Sequence, residues 1–424
     1  MKLESYWLDT APPFTQGERE PVSGHVDVAV IGGGYTGLSA ALALARQGAS
    51  VMVFEAGRVV GQASGRNGGQ CNSGLAHDYG ALSARIGSDR ARAYYRAYAA
   101  AVDSVETLVR QENIACDFRR SGRLKLAAKP EHYDKLARAC ERLASEVDPE
   151  VEMLSREQVR EEVDSDAFFG GLLQKTSAQM HMGRFGVGLA DAAVRQGARI
   201  VESAPVTRID PVSGGYNVLS GRGAVTAGQV LLSTGSSSVG PFGYFRRRLV
   251  SVGSFIVVTE PLSPELVSRL LPRQRCYVTS RQIGNYFRLT ADNRLVFGGR
   301  ARFAMSNPRS DEKSGQILRA AMRKIFPELG SVRIDYCWGG LVDMTADRLP
   351  RAGRHKGMFY SLGYSGHGVQ MSVHMGQQMA QVMTGVGEAN PWRDLDWPAI
   401  PGHFGKPWFL PLVGAYYRFQ DFIH

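Results

Sequence analysis

An α/β fold, α+β when the whole chain is counted, is predicted by three observations. Residues 25–55 read as strand, glycine turn, helix and strand. Between Ala204 and Gly298 the chain shows short apolar runs separated by turn residues, the pattern of antiparallel pairing. At 424 residues it is too long for one simple core, so two domains are expected.

Taken in order, the first 24 residues are polar, carry Pro12, Pro13 and Pro21, and read as an arm. His25–Ile31 follows as a buried strand, because Val26, Val28, Ala29, Val30 and Ile31 are small or β-branched. After the Gly32–Gly34 turn, residues 36–47 read as a helix with Leu38, Ala41, Leu42 and Ala45 apolar and Gly48 ending it. Residues 50–55 complete a βαβ unit. Helices are expected over 90–112, 132–146 and 185–196, then a strand over 198–201. A hairpin turns at Gly214 and Gly215, and a strand over 229–233 ends at Thr234 and Gly235. Residues 249–260, 286–289 and 294–298 read as an antiparallel sheet, with a helix over 312–326. Met358–Leu362 is a strand and 376–383 a helix. The aromatic segment 408–423 reads as a cover over something beneath it.

Composition is that of an ordinary globular protein, 44% hydrophobic and 21% charged. The formal charge of +10 and pI near 9.4 suit a solvated Arg-rich surface, an anionic cofactor or membrane, or nucleic acid. The densest basic run, Arg246 to Arg248, is too short to argue for nucleic acid, and none is expected as a partner. Cys71, Cys116, Cys140, Cys276 and Cys337 are odd in number and form no CxxC pair. They indicate neither a disulfide framework nor a metal site, and a reduced cytoplasmic setting is expected. The first 20 residues have no apolar core of signal-peptide type, and no stretch approaches the ~20 apolar residues of a membrane-spanning helix.

Four blocks carry chemistry. Gly32-Gly33-Gly34-Tyr35-Thr36-Gly37 stands between a strand and a helix, with Glu55 ending the next strand. Gly32 permits the tight turn, Gly34 lets a pyrophosphate approach the backbone, and Gly37 lets the helix pack on the strand. The helix N-terminus supplies free N–H donors, and Glu55 suits two ribose hydroxyls. The polar loop from Gly61 to Gln70 can bring further N–H groups onto phosphates, or is simply a flexible surface loop. A strand ending at Thr234 and Gly235 leaves room at a sheet edge. Tyr364-Ser365-Gly366-His367-Gly368-Val369-Gln370, ahead of a helical stretch, makes a donor-rich rim suited to a ring carbonyl, with a backbone-bonded loop histidine as the plainer alternative. No HExxH, GxSxG or clustered ligand pattern occurs, so no metal and no nucleophile is expected.

In this order and spacing the blocks resemble the FAD-dependent oxidoreductases of the D-amino-acid oxidase superfamily, and within it the branch acting on γ-glutamylated polyamines. The likeness extends to Ser5-Tyr6-Trp7, to RLVFGGR at 294–300, to the stretch from Trp338 to Arg354, and to GAYYRF at 414–419. It implies a Rossmann-like FAD-binding domain made of 25–100, 172–240 and 336–390, and a second, antiparallel-sheet substrate domain of 101–171 and 241–335. Residues 1–24 would form the arm and 391–424 a covering segment. It implies FAD bound at Gly32, Gly34, Tyr35, Thr36, Gly37, Glu55 and Ala56. Further contacts would come from Ser64, Gly65, Arg66, Asn67, Gly68, Gly69 and Gln70, from Val206, Thr234 and Gly235, and from Gly366, His367, Gly368 and Val369.

The implied reaction is oxidation of an amine CH–NH to an imine by hydride transfer to flavin N5, then hydrolysis to aldehyde and ammonia. The cofactor does the redox chemistry. His367 is the candidate catalytic residue, stabilising charge at the flavin N1–C2 edge. Arg288, Arg300 and Arg302 are candidates for a substrate carboxylate, or else surface arginines on alternating strand positions. Tyr286, Trp338 and Tyr364 wall an amine channel or pack the core. Two departures from the family pattern, at Gln179–Gly183 and at Thr234-Gly235-Ser236, bear on the substrate. Oxygen or another acceptor reoxidises the flavin; the strand position where some relatives carry lysine is Val296 here, which points to slow oxygen use. Two alternatives remain: a tRNA-modifying flavoenzyme, suggested by the basic pI, and a membrane-peripheral amine dehydrogenase reducing quinone, suggested by the aromatic C-terminus with Arg418.

Overall fold

The computed structural model describes residues 1–235, 237 and 240–423. Its strands, numbered in chain order, form two large sheets and one small ribbon. In the first sheet the order is β17 (Arg351–His355), β18 (Met358–Leu362), β11 (Gly223–Leu232), β1 (His25–Ile31), β2 (Val51–Phe54) and β8 (Arg199–Val201). The pairs from β18 to β8 are parallel, so their connections are crossovers, and β2 and most of β1 are buried on both faces as such strands require. The hairpin of β9 (Val206–Val212) and β10 (Gly215–Ser220) adds antiparallel to the first half of β11.

In the second sheet the order is β16 (Ile334–Met344), β12 (Val250–Thr259), β15 (Leu295–Gly299), β14 (Asn285–Leu289), β13 (Cys276–Thr279), β4 (Arg123–Leu126), β6 (Gly171–Gln174) and β5 (Glu152–Leu154). It is antiparallel except between β4 and β13. One face packs on the helix Pro308–Ile325, through Phe255, Val257, Phe297, Leu318 and Met322. The third sheet pairs β3 (Gln70–Cys71) with β7 (Ala178–Gln179).

The helix Tyr35–Arg46 begins one residue earlier than the sequence suggests. The long helix Ser88–Gln111 is preceded by a separate one, Tyr79–Ile86, capped by the Asp78 carboxylate. Two strands fall outside the expected segment limits: Ile334–Met344 and Gly171–Gln174 both hydrogen-bond within the second sheet. The reason is register, since Ile256 faces Trp338 across ten matched pairs and periodicity says nothing about which sheet a strand joins.

The N-terminal arm is not loose. It contains the short helix Tyr6–Asp9 with Tyr6 and Trp7 buried. The segment 391–409 lays Trp392 and Trp397 against the body, and the helix Leu410–Ile423 follows.

Candidate active site

At the end of β1 the chain turns through Gly32, whose φ of +113° places it where only glycine sits without strain. Its N–H donates to the Phe54 carbonyl at 2.8 Å, and a Cβ there would lie 2.7 Å from the Ser233 oxygen. Gly37 has no room either: a Cβ would meet the Gly32 carbonyl at 2.0 Å. The turn therefore delivers the N-terminus of helix Tyr35–Arg46 against the strand edge. The Tyr35 N–H donates to Ser64 Oγ at 3.1 Å, drawing the second loop onto the first. Glu55 Oε2 accepts the Gly33 N–H at 2.7 Å and Oε1 accepts the Gly57 N–H at 2.8 Å. Burial raises the Glu55 pKa, and these two N–H groups pull against it.

These groups open onto one cavity of about 1000 Å³ between the two large sheets. That lies at the upper end of the roughly 300–1,000 Å³ of small-molecule sites and leaves room for a dinucleotide beside a small substrate. From the first sheet and its loops come Gly32, Gly34, Tyr35, Thr36, Glu55 and Ala56, then Ser64, Arg66, Asn67, Gly68 and Gln70. Val206, Thr234 and Gly235 line it as well; Ser236 lies outside the described residues. From the second sheet come Tyr286 and Arg300.

The late motif contributes Tyr364, Gly366, His367, Gly368 and Val369. The helix after it starts earlier than 376, the expected position. The helix runs Gly368–Met383, eight residues longer at its start, so the motif is a second helix N-terminus on the same cavity. His367 packs edge-on to Tyr98 at 5.8 Å, and its buried Nδ1 has no hydrogen-bond partner among the described residues. Burial first, and the Arg123 charge next, hold its pKa down at about 3, so the ring is neutral at physiological pH. Tyr364 Oη bonds Ser361 Oγ at 2.8 Å and Thr36 Oγ1 at 2.9 Å, and burial lifts its pKa to about 12.

Two glycine-shaped helix N-termini, a carboxylate at the second strand end and an unpartnered buried imidazole nitrogen on one cavity fit FAD. Gly34 and Ser64 would hold the pyrophosphate, Glu55 the ribose, and the Gly366–Val369 turn the ring system.

Several expected site residues take other roles. Arg288 does not line the cavity. It is buried, donating to the carbonyls of Gly68 (2.9 Å), Met180 (2.7 Å) and Leu289 (3.1 Å), and its guanidinium lies 4.8 Å from the Trp7 ring. On β14 it points at the back of the 61–70 loop, where backbone oxygens need a donor. Trp338 is fully buried behind the same loop, its Nε1–H on the Arg66 carbonyl at 3.0 Å. Arg302 also lies off the lining. Gly65 and Gly69 shape the loop from behind: a Cβ on Gly65 would strike the Val60 oxygen at 2.4 Å, and Gly69 packs against the Arg288 guanidinium. His181 belongs to a packing joint. It caps the helix Met182–Arg195, accepting the Arg184 N–H at 3.2 Å, and packs edge-on to Trp7 at 5.1 Å. The departure around it therefore does not touch the cavity.

Arg123 and Lys125 on β4 were not anticipated. The only signal was the alternation Arg-Leu-Lys-Leu, in which Leu124 and Leu126 enter the core and the two cations face the other way. Arg123 lines the cavity and bonds the neutral Gln174 side chain, and its buried Nε has no partner among the described residues. Among the described residues neither Arg123 nor Arg300 has a carboxylate in ion-pair range. Burial lowers the pKa of both, and of Lys125.

With this geometry in place the comparisons with known proteins are specific. Residues 27–382 match the family described as FAD dependent oxidoreductase. The chain is 32% identical over 424 residues to γ-glutamylputrescine oxidoreductase of Escherichia coli (strain K12), covering 98% of each. It is 31% identical over 433 residues to the probable oxidoreductase OrdL of Haemophilus influenzae, covering 99% of this chain and 97% of that one. Among solved structures, glycine oxidase from Geobacillus kaustophilus superposes with a TM-score of 0.69 at 21% identity, over 90% of this chain and 98% of that one. L-Proline dehydrogenase from P. horikoshii gives 0.71 at 18%, over 88% and 98%. These structures share the fold.

The chain belongs to the FAD-dependent oxidoreductases of the D-amino-acid oxidase type. It is an enzyme whose cofactor is FAD.

Proposed function

We propose that the protein oxidises the terminal amine of an acylated amine whose acyl group carries a carboxylate, a γ-glutamylated polyamine being the best fit, to an imine that hydrolyses to aldehyde and ammonia. The observation that carries this is the pair Arg123 and Arg300, lining the cavity on the side of the second sheet with no carboxylate in ion-pair range among the described residues. Over the whole lining, Arg66, Arg123, Arg246, Arg281, Arg300 and Lys406 face only Glu55 and Asp343 as acids. A free diamine would meet the wrong sign of charge. A substrate bringing a carboxylate complements it, and a bound pyrophosphate takes up only part of the excess. The resemblance to γ-glutamylputrescine oxidoreductase supports the same class.

In this reading the first sheet with its helices holds the cofactor and the second sheet the amine. Bound FAD supplies the two-electron acceptor. The chain's own residues orient the substrate and keep the site dry. Tyr286 Oη lies 3.2 Å from Ser254 Oγ, and burial raises its pKa to about 12, so it remains a neutral hydrogen-bond partner. Neutral His367 contributes a single N–H rather than a charge. None of these groups takes a proton near neutral pH. The amine must therefore lose its ammonium proton to solvent, and kcat/KM is expected to rise with pH toward the amine's own pKa near ~10. Reoxidation by oxygen or another acceptor, in a cytoplasmic setting, completes the reading.

The test is anaerobic bleaching of the flavin by γ-glutamylputrescine and by putrescine. One partly buried Arg–carboxylate contact contributes roughly 1.5–3 kcal/mol, so a preference of about tenfold to hundredfold for the acylated amine is expected. Equal rates with the two amines reject carboxylate recognition.

A further inference from the structure

We propose that the solvent face of the helix Leu410–Ile423, with the turn before it at 404–408, docks this enzyme onto an anionic lipid bilayer. Five large apolar side chains are exposed within 16 consecutive positions: Phe404 (76%), Trp408 (67%), Leu412 (68%), Tyr416 (58%) and Phe419 (61%). Among the described residues only six others of this kind are exposed in the entire chain. Leu412, Tyr416 and Phe419 stand four and three residues apart and so form one stripe along the helix.

The stripe belongs to the folded state. The opposite face of the helix is fastened down. Leu410 is buried, Tyr417 stacks on Phe303 at 5.7 Å, and Gly414 lets the helix approach that ring, since a Cβ there would meet it at 2.9 Å. The Asp421 carboxylate accepts the N–H groups of Gln282 and Ile283, each at 2.8 Å, and the Asp421 carbonyl accepts from Lys129 Nζ at 3.0 Å.

Charge selects the occupant. Residues 400–420 contain Lys406 and Arg418 and no Asp or Glu, and the next acid, Asp421, is spent on backbone N–H groups. The Arg247 guanidinium lies 5.3 Å from the Phe404 ring. Aromatic and aliphatic side chains beside cations, on a chain of net charge +10, complement a negatively charged bilayer surface, where Trp and Tyr rings settle at headgroup depth. A second copy of the chain would set the same cationic rim against itself. No helix of the described residues is long and apolar enough to cross a membrane, so the contact is peripheral. Phe404, Lys406 and Gln282 also line the site cavity, which places its mouth beside the docked face.

The experiment is co-sedimentation of the FAD-loaded full chain with vesicles of phosphatidylcholine alone and of phosphatidylcholine mixed with phosphatidylglycerol. Binding to the mixed vesicles is expected, weakening as salt is raised. The triple variant L412S/Y416S/F419S should bind them at least about tenfold more weakly with FAD content and melting temperature retained, because all three side chains are exposed. Lys406→Gln should weaken binding about fivefold. A wild-type enzyme that stays in the supernatant with mixed vesicles at low salt overturns the proposal, as does unchanged binding by the triple variant. So does a dimer in sedimentation velocity that the triple variant dissolves while neither form binds lipid.

Discussion

The Trp7 indole N–H donates to the Asn67 carbonyl at 2.7 Å, across 60 residues of chain. Beside it the Ser5 hydroxyl donates to the Gly65 carbonyl at 2.6 Å, and Tyr6 Oη donates to Asp292 at 2.8 Å. The arm thus holds the rear of the loop whose front lines the cavity. Trp7→Ala removes a fully buried ring, at roughly 3–5 kcal/mol, and frees that loop. The melting temperature should fall and FAD should bind more weakly. Trp7→Phe, which keeps most of the packing, should lose only the hydrogen bond, roughly 0.5–1.5 kcal/mol. Equilibrium dialysis of FAD against the three proteins checks this, and unchanged affinity in Trp7→Ala contradicts it.

Two glycines of the fingerprint should fail differently. Gly34 lines the cavity and an added Cβ meets only Ser64 Oγ, at 3.0 Å. Gly34→Val should therefore leave the fold intact and expel FAD. At Gly37 the obstacle is backbone, the Gly32 oxygen, which cannot move without opening the β1 turn. Gly37→Ala should destabilise the apoprotein itself, by roughly 1–3 kcal/mol. Melting curves recorded without added FAD separate the two outcomes.

The arginines of the second sheet should also separate. Arg288→Met orphans the buried carbonyl of Met180, at roughly 1–3 kcal/mol, and the partly buried one of Gly68. Its melting temperature and FAD retention should drop while selectivity between acylated and free amine holds. Arg300→Met and Arg123→Met should do the reverse, lowering kcat/KM for the acylated amine about tenfold to hundredfold with the free amine nearly unaffected. Selectivity lost in Arg288→Met but kept in both others would place carboxylate recognition elsewhere.

Acid should destabilise the protein through buried histidines. Burial holds His181 at about 3 and His374 at about 4, both below the ordinary value of about 6.5. Above that value neither state carries the extra proton and stability is at its full value; as pH falls below it only the unfolded chain takes the proton up, and stability is lost progressively down to the folded pKa. Between pH 7 and pH 5 the loss is about 2 kcal/mol for each residue. His374 bonds Ser104 Oγ at 2.9 Å, tying the helix Gly368–Met383 to Ser88–Gln111. In His374→Gln the drop in melting temperature between pH 7 and pH 5, measured at fixed FAD, should be smaller than in the wild type. An equal drop in both proteins removes His374 from the account.

The glycine fingerprint, Glu55 and the strands around them were legible because each has a local cause. Tight turns need positive φ, buried strands need β-branched residues, and a helix opening on a strand edge needs a small residue at Gly37. That the four blocks serve one cofactor was implied by the family resemblance and by no local pattern; in the structure residues of all four line one cavity. The start of the late helix was misjudged because Gly366 and Gly368 read as loop, whereas Gly368 opens a helix that packs on Tyr35–Arg46 and needs no local propensity there.

What the sequence by itself determined was the cofactor fold and the glycine turns at its strand ends, since backbone conformation and strand–helix periodicity are written locally. Only the tertiary structure decided which arginine faces the cavity. Arg123 and Arg288 lie on strands of one sheet and Arg300 directly follows another, yet Arg288 is drawn back onto the loop carbonyls while the other two line the cavity. That choice depends on where unsatisfied carbonyls and acids lie across the sheet interface. Such positions are set by strand register and by the packing of segments as distant as Trp7, and no local pattern encodes them.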